Sequence, residues 1–282
     1  MMLRPCSAVL PLLVVGTISS TARGQSGAPG ATTAPASRPT TTSPALDPEL
    51  EQILDRLEKR GDTIADLSCA VRQEMKGLVV GELIVKEGEI RYLRGGEKGA
   101  NSRFYIHFTR IMQDDYKLAP EWYVFDGRWF IEAKESTKNV IRREIVREGE
   151  QRNLFSVEDS PFPLPFGQRK AEILKQFDVK LVPPDPKDPP DSRHLLCIPR
   201  PGTSKEKEYA EVHFYIDPKL DLPVKIVAHR KTGAKVAEIH TVTFPDLSAK
   251  SINKGLPGSA FDFRPPSGWQ VHTEYLDAKE PK

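Results

Sequence analysis

The stretch "EWYVFDGRWFIEAK", residues 121–134, decides how the rest of the chain is read. Apolar and polar side chains alternate on both sides of Asp126-Gly127, a dipeptide favoured in two-residue hairpin turns, whose central positions need positive φ. Such a turn pairs Phe125 with Arg128, Val124 with Trp129, Tyr123 with Phe130 and Trp122 with Ile131. Trp122, Val124, Trp129 and Ile131 then share one wholly apolar face, because side chains alternate sides along a strand. The opposite face mixes Tyr123, Phe125 and Phe130 with Arg128, Glu132 and Lys134. The apolar face belongs inside, against either a filled core or an apolar cavity.

The period of two extends outward from this hairpin. "LSCAVRQEM", "GELIVK", "EIRYLR" and "RFYIHFTRI" read as short strands separated by Gly and polar turns. In the last of them Phe104, Ile106 and Phe108 share one face, and Tyr105, His107 and Thr109 the other. Later, "EVHFYID" aligns Val212, Phe214 and Ile216, and "PVKIVAHRK" follows as a further strand. Strands that follow strands through short connections imply an antiparallel sheet, not βαβ units. Ahead of them, Leu50, Ile53, Leu54 and Leu57 recur at i, i+3, i+4 and i+7 over residues 48–66, an amphipathic helix. Asp47 is its N-cap, Pro48 its first residue, and Gly61 is expected to stop or loosen it. "VPPDPKDPPD", residues 182–191, reads as a surface loop between late strands.

"SPFPLPFG", residues 160–167, is too rich in proline for a central strand and too apolar for an ordinary loop. It leads into "GQRKAEILKQF", where Ile173, Leu174 and Phe177 fall on one side of a short helix. Phe162, Leu164 and Phe166 with that helix form either a lid over a concave apolar surface or a plug closing one end of a barrel.

The first 24 residues have the three parts of a secretory signal: Arg4, an apolar run from Val9 to Val15, and small residues around Ala22 and Gly24. The run is too short to span a bilayer. Residues 25–46 are Ala, Thr, Pro, Ser and Gly with few large apolar side chains, a composition for a flexible linker. Residues 47–282 remain as a single domain. With 41 basic against 39 acidic side chains and no long basic block, nucleic acid is excluded as a partner. Cys69 and Cys197 survive removal of the signal, and either a disulfide or two buried thiols fits them.

Catalytic motifs are missing. The six histidines form no HExxH, HxH or zinc-like Cys/His spacing, and no GxSxG, P-loop or GxGxxG occurs. A hairpin turning at Thr232-Gly233 brings His229 near His240, a spacing that gives slight support for a metal site. Catalytic, cofactor and metal residues are therefore all expected to be none.

The order of segments resembles the periplasmic lipoprotein carriers of the LolA type, with LolB and the lipoprotein-sorting-like proteins. After the helix, "DLSCAVRQEMKG" is similar to the family's "F-x-A-x-F-x-Q" strand. "GELIVKEGEIRYL" is similar to its "G-x-L-x-x-K-R-P-x-x-F-R-W" hairpin, and "WYVFDGRWFIE" to its "V-x-D-G-x-x-L-W-x-Y". "AFDFRPPSGWQV" looks like its closing "F-x-F-x-P-P-x-G-x-x-V". The resemblance covers residues 48–276 and implies a mainly β protein with a few helices. Its sheet is a curved, antiparallel, half-open barrel under a lid.

The resemblance further implies a monomeric exported protein of a diderm periplasm that binds lipid or lipoprotein acyl chains and meets membrane-bound release or acceptor proteins. An alternative is a lipid-responsive sensing module of the same fold that does not transport. Cavity residues would be Phe104, Ile106, Phe108, Phe214 and Ile216 with Trp122, Val124, Trp129 and Ile131. The lid would hold Phe162, Leu164, Phe166, Ile173, Leu174 and Phe177. One departure stands out. Glu87-Gly88 occupies the place of the family's Arg-Pro, with Lys86 adjacent and Arg91 and Arg94 out of register.

Overall fold

The computed structural model describes residues 46–96, 101–150 and 169–276. The signal segment, the linker up to residue 45, and "SPFPLPFG" with Phe162, Leu164 and Phe166 lie outside the described residues. The chain divides into two units, Met1–Leu46 and Asp47–Lys282, and every described helix and strand belongs to the second.

Helix α1 (Pro48–Thr63) begins where the capping signal places it. Asp47 Oδ1 accepts from the backbone N–H groups of Glu49 at 2.8 Å and Leu50 at 3.2 Å. It satisfies two donors that the first turn leaves without helical partners. The helix does not stop at Gly61 but runs through it to Thr63; Gly61 is buried, and Leu50, Ile53 and Leu54 carry the buried stripe. At the far end the Arg94 guanidinium bonds the carbonyls of Ile64, at 2.9 Å, and Gly61.

Seven strands follow: β1 (Asp66–Gly77), β2 (Leu83–Leu93), β3 (Arg103–Gln113), β4 (Tyr116–Leu118), β5 (Glu121–Phe125), β6 (Trp129–Lys134) and β7 (Asn139–Glu144). After α2 (Lys170–Gln176) come β8 (Phe177–Val182) and β9 (Arg193–Pro199). The short α3 (Ser204–Glu208) precedes β10 (Tyr209–Asp217), β11 (Leu222–Thr232), β12 (Lys235–Thr243) and β13 (Gln270–Glu274). All join one sheet in the order β13-β7-β6-β5-β3-β2-β1-β12-β11-β10-β9-β8, with β4 beside β3. Neighbours are antiparallel except β13 and β7, which run parallel. The two ends of the order do not pair among the described residues. The protein is therefore mainly β, on an antiparallel sheet that stops short of a closed barrel, as expected.

The register differs from the two-residue reading of the hairpin. Phe125 faces Phe130, Val124 faces Ile131 and Trp122 faces Ala133. Asp126 N donates to Trp129 O at 3.2 Å, so Gly127-Arg128 is the loop, and only Gly127 takes positive φ, at 104°. The Asp126 carboxylate accepts from Arg128 N at 2.9 Å and Trp129 N at 2.8 Å, organising the turn through its side chain. The slip amounts to two residues, so every side chain keeps its face.

The side bearing Ile106 is called inner and the side bearing Trp122 outer. By register the inner face runs through Leu181, Leu195, Phe214, Ile226 and Val242 to Ile90, Ile106, Tyr123 and Glu132. Arg193, which stands opposite Ile216 on that face, pairs with Glu49 of α1 at 3.4 Å and sets the helix on the inner side. A bulge at Glu87/Gly88 bends β2 against β3. A Cβ on Gly88 would sit 1.8 Å from the His107 carbonyl oxygen, so only glycine fits there.

Phe177, expected on the apolar side of α2, opens β8 instead and packs with Cys197, Val212, Ile226 and Ala228. Its φ of −132° and ψ of 147° are extended, so the helix ends one residue earlier. Cys69 on β1 and Cys197 on β9 are free, buried thiols. Burial pushes both up to about 12, with the Asp246 charge adding to the effect on Cys69.

Candidate functional site

Phe104, Ile106, Phe108 and Ile216 lie on the inner face, each no more than 4% exposed, and Phe214 shares that face half-buried. Phe104 meets Phe125 and Phe130 at centroid separations of 6.1 and 6.0 Å, and Phe108 meets Tyr123 edge-on at 6.2 Å. These tilted arrangements are the favourable geometry for aromatic rings. Within α2, Ile173 and Leu174 are half-buried.

A buried ion pair interrupts this apolar wall. Lys86 alternates inward from β2 and is 7% exposed. Its ammonium pairs with Glu121 Oε2 and lies 5.6 Å from the ring centroids of both Phe108 and Tyr123. The Tyr123 hydroxyl donates to the same carboxylate oxygen at 2.8 Å, and Lys134 Nζ stands 4.0 Å from the other. Burial raises the Glu121 pKa, but Lys86, Tyr123 and Lys134 outweigh it and hold the carboxyl below its ordinary range. Burial and the Glu121 charge push Tyr123 upward, so its hydroxyl remains a donor. A charge withdrawn from water this far is tolerable only because it is paired. Sequence reading singled out Glu87 and passed over this pair. Glu87 points outward to Arg72 and, at 2.9 Å, to Arg110. The strict alternation of β2 was the available signal, since it sends Lys86 to the same side as Ile90.

Trp122, Val124, Trp129 and Ile131 occupy the outer face, opposite the five residues above. There they pack with Ala133 and Val140 beneath Phe263 and Trp269 of the C-terminal segment. The Trp122 ring stacks on His107 at 4.5 Å and meets Phe263 and Trp269 at 5.9 Å each. Trp129 lies between the guanidinium of Arg142 at 4.2 Å, that of Arg128 at 5.4 Å, and Tyr275 at 5.4 Å. Burial lowers the pKa of His107, whose Nε2 is buried without a hydrogen-bond partner. The closing motif thus lays its own aromatic side chains over the hairpin before β13 joins β7. The candidate cavity residues are therefore not one constellation: five line the inner face and four sit under the chain's own C-terminal segment.

His229 and His240 do not meet. Register pairs His229 with Ile239 and Ala228 with His240, so the two imidazoles project from opposite faces. A bulge at Arg230/Lys231 sets that register. Burial lowers the pKa of His240, which bonds Glu238 at 2.7 Å.

The fold and these two faces define a class: a mainly β protein with an open sheet, apolar on the side of α1 and sealed locally by aromatic packing on the other. No protein-family model matches the chain, and no curated protein matches it. Among solved structures it is similar to an uncharacterized conserved protein from Thermus thermophilus. The identity there is 14% and the TM-score 0.47, over 80% of this chain and 99% of that one. A putative outer membrane lipoprotein-sorting protein domain from Vibrio parahaemolyticus is similar at 12% identity and TM-score 0.33, covering 75% and 95%. A LolA superfamily protein from Nitrosomonas europaea is similar at 12% identity and TM-score 0.31, covering 76% and 97%. Likenesses at these identities bring no ligand or activity to this chain. Among the described residues, no helix is long and apolar enough to cross a membrane.

Proposed function

We propose that this chain is an exported periplasmic protein that binds the acyl chains of lipids or lipoproteins on the inner face of its sheet. The supporting observation is the reach of that face: from Leu181 on β8 to Phe130 on β6, at least one apolar side chain faces inward on each strand of the order. Acyl chains suit such a wall because each buried methylene is worth about 0.8 kcal/mol and needs no specific polar partner. Phe104, Ile106, Phe108, Phe214 and Ile216 are its contact residues. Trp122, Val124, Trp129 and Ile131 are left out, since Phe263 and Trp269 already cover them.

Native mass spectrometry of the full chain isolated from a periplasm tests the reading. A co-purifying lipid is expected, lost on Phe214→Asp and retained on Trp269→Ala. A clean apo mass under gentle conditions, from protein that also fails to bind a fluorescent fatty acid at micromolar concentration, would overturn it.

A further inference from the structure

The outer face carries a second constellation far along the sheet order from the tryptophans. Glu211 and His213 are neighbours by alternation on β10, and His229 of β11 stands directly opposite Glu211. Glu211 Oε1 lies between the two imidazoles, 2.8 Å from His229 Nδ1 and 3.3 Å from His213 Nε2. One donor atom from each of the three side chains falls within 4.8 Å of the others. We propose that Glu211, His213 and His229 bind one divalent transition-metal ion of the zinc class, oriented by His194 and Asp188.

The arrangement behind these three side chains is that of a held ligand set. His213 Nδ1 is 2.9 Å from His194 Nε2, so His213 is held through that nitrogen and presents Nε2 to Glu211. His194 Nδ1 is buried without a hydrogen-bond partner and lies 3.4 Å from Asp188 Oδ2. Two imidazole nitrogens and a carboxylate oxygen turned toward one another form a donor set that a metal ion can join through a bond to each.

The surroundings fit the same assignment. His194 is 8% exposed and stacks on Tyr215 at 4.3 Å, which fixes its ring behind His213. A carboxylate–imidazole relay behind a ligating histidine is the usual outer shell of a protein metal site. Two imidazole nitrogens and one carboxylate oxygen suit zinc and the later divalent transition metals, not calcium or magnesium. The ligand side chains remain 19–34% exposed, which leaves water to complete the coordination. The ion would clamp β10 to β11 on the face away from the proposed acyl site, so the two assignments stand independently.

The test is calorimetric titration of the untagged full chain with zinc alone, repeated with cobalt. The expected result is one ion per chain, a raised Tm, and the intense visible bands of a four-coordinate cobalt ion. His229→Ala and Glu211→Gln abolish stoichiometric binding, and Asp188→Asn weakens it about 10–100-fold, the usual cost of losing an outer-shell partner. His240→Ala leaves it unchanged. Far-UV circular dichroism identifies any variant that has lost its fold, and His229→Asn then replaces the alanine. Failure of the folded wild-type chain to bind either metal overturns the proposal, as does binding that survives the His213→Ala/His229→Ala double substitution. So does a proton resonance showing His213 doubly protonated with zinc in excess, because a proton then fills the place assigned to the ion.

Discussion

The two faces of the β5–β6 hairpin solve the burial of aromatic side chains in different ways. On the inner side Tyr123, Phe125 and Phe130 join a wall that continues across most of the sheet and includes a buried ion pair. On the outer side Trp122 and Trp129 form a local cluster closed by Phe263 and Trp269 of the same chain. A continuous wall can offer surface to a ligand without changing the sheet, whereas a local cluster is complete once its own chain covers it. In the proposed assignment the inner wall is the binding surface and the outer cluster is structural packing.

The largest effect expected is at the ion pair that marks the inner face. Lys86→Met alone leaves the buried Glu121 with only the Tyr123 hydroxyl and Lys134 at 4.0 Å, and is expected to cost about 3 kcal/mol by chemical denaturation. Adding Glu121→Leu removes the stranded charge and should recover most of that loss. Equal destabilisation by the single and the double substitution would mean the pair is solvated and the inner wall open to water. Because the folded-state pKa of Glu121 is depressed, the pair's contribution is present above the ordinary carboxylate range and is lost as pH falls through the folded value.

Next comes the outer cover. Trp269→Ala is expected to destabilise by about 2–3 kcal/mol, less than a fully buried tryptophan because Trp269 is half-buried. All three tryptophans of the chain, Trp122, Trp129 and Trp269, belong to this cluster. A fatty acid bound on the inner face should therefore leave the emission maximum in place, and a shift on binding would move the proposed site to the outer face.

Asp47→Ala removes the cap of α1 and should cost about 1 kcal/mol in thermal or chemical unfolding. It loosens the helix on the inner side only, so tryptophan emission should not respond before global unfolding. The smallest effect lies at His107, beside Trp122. Its lowered folded-state pKa means that stability is fully present above the unfolded value, about 6.5, and declines as pH falls below it. His107→Gln should flatten that part of the pH–stability profile; an unchanged slope would place the acid sensitivity elsewhere.

Much of the architecture was legible because alternation is a local property. Phe104, Ile106 and Phe108 share a face, as do Trp122, Val124, Trp129 and Ile131, and a register slip of two residues in the hairpin left both sets intact. The Asp47 cap and the α1 stripe were equally local. Element ends were less legible, because neighbours decide them: α1 continues two residues past Gly61, and Phe177 belongs to β8. Arg94 holds the end of α1 beyond Gly61, and pairing with Pro199 draws Phe177 into β8.

By itself, the sequence determined the strand periodicity, the side-chain sets on each face and the start of the helix, since these depend on residues a few positions apart. Only the tertiary structure decided which set the C-terminal segment covers and which cation faces inward. It also decided that Asp188, His194, Glu211, His213 and His229 meet. Those outcomes depend on pairings between distant segments, and a single bulge is enough to change which residues stand opposite. Lys86 and Glu87 are adjacent in sequence, yet the pleat sends one to the buried wall and the other to the outer face.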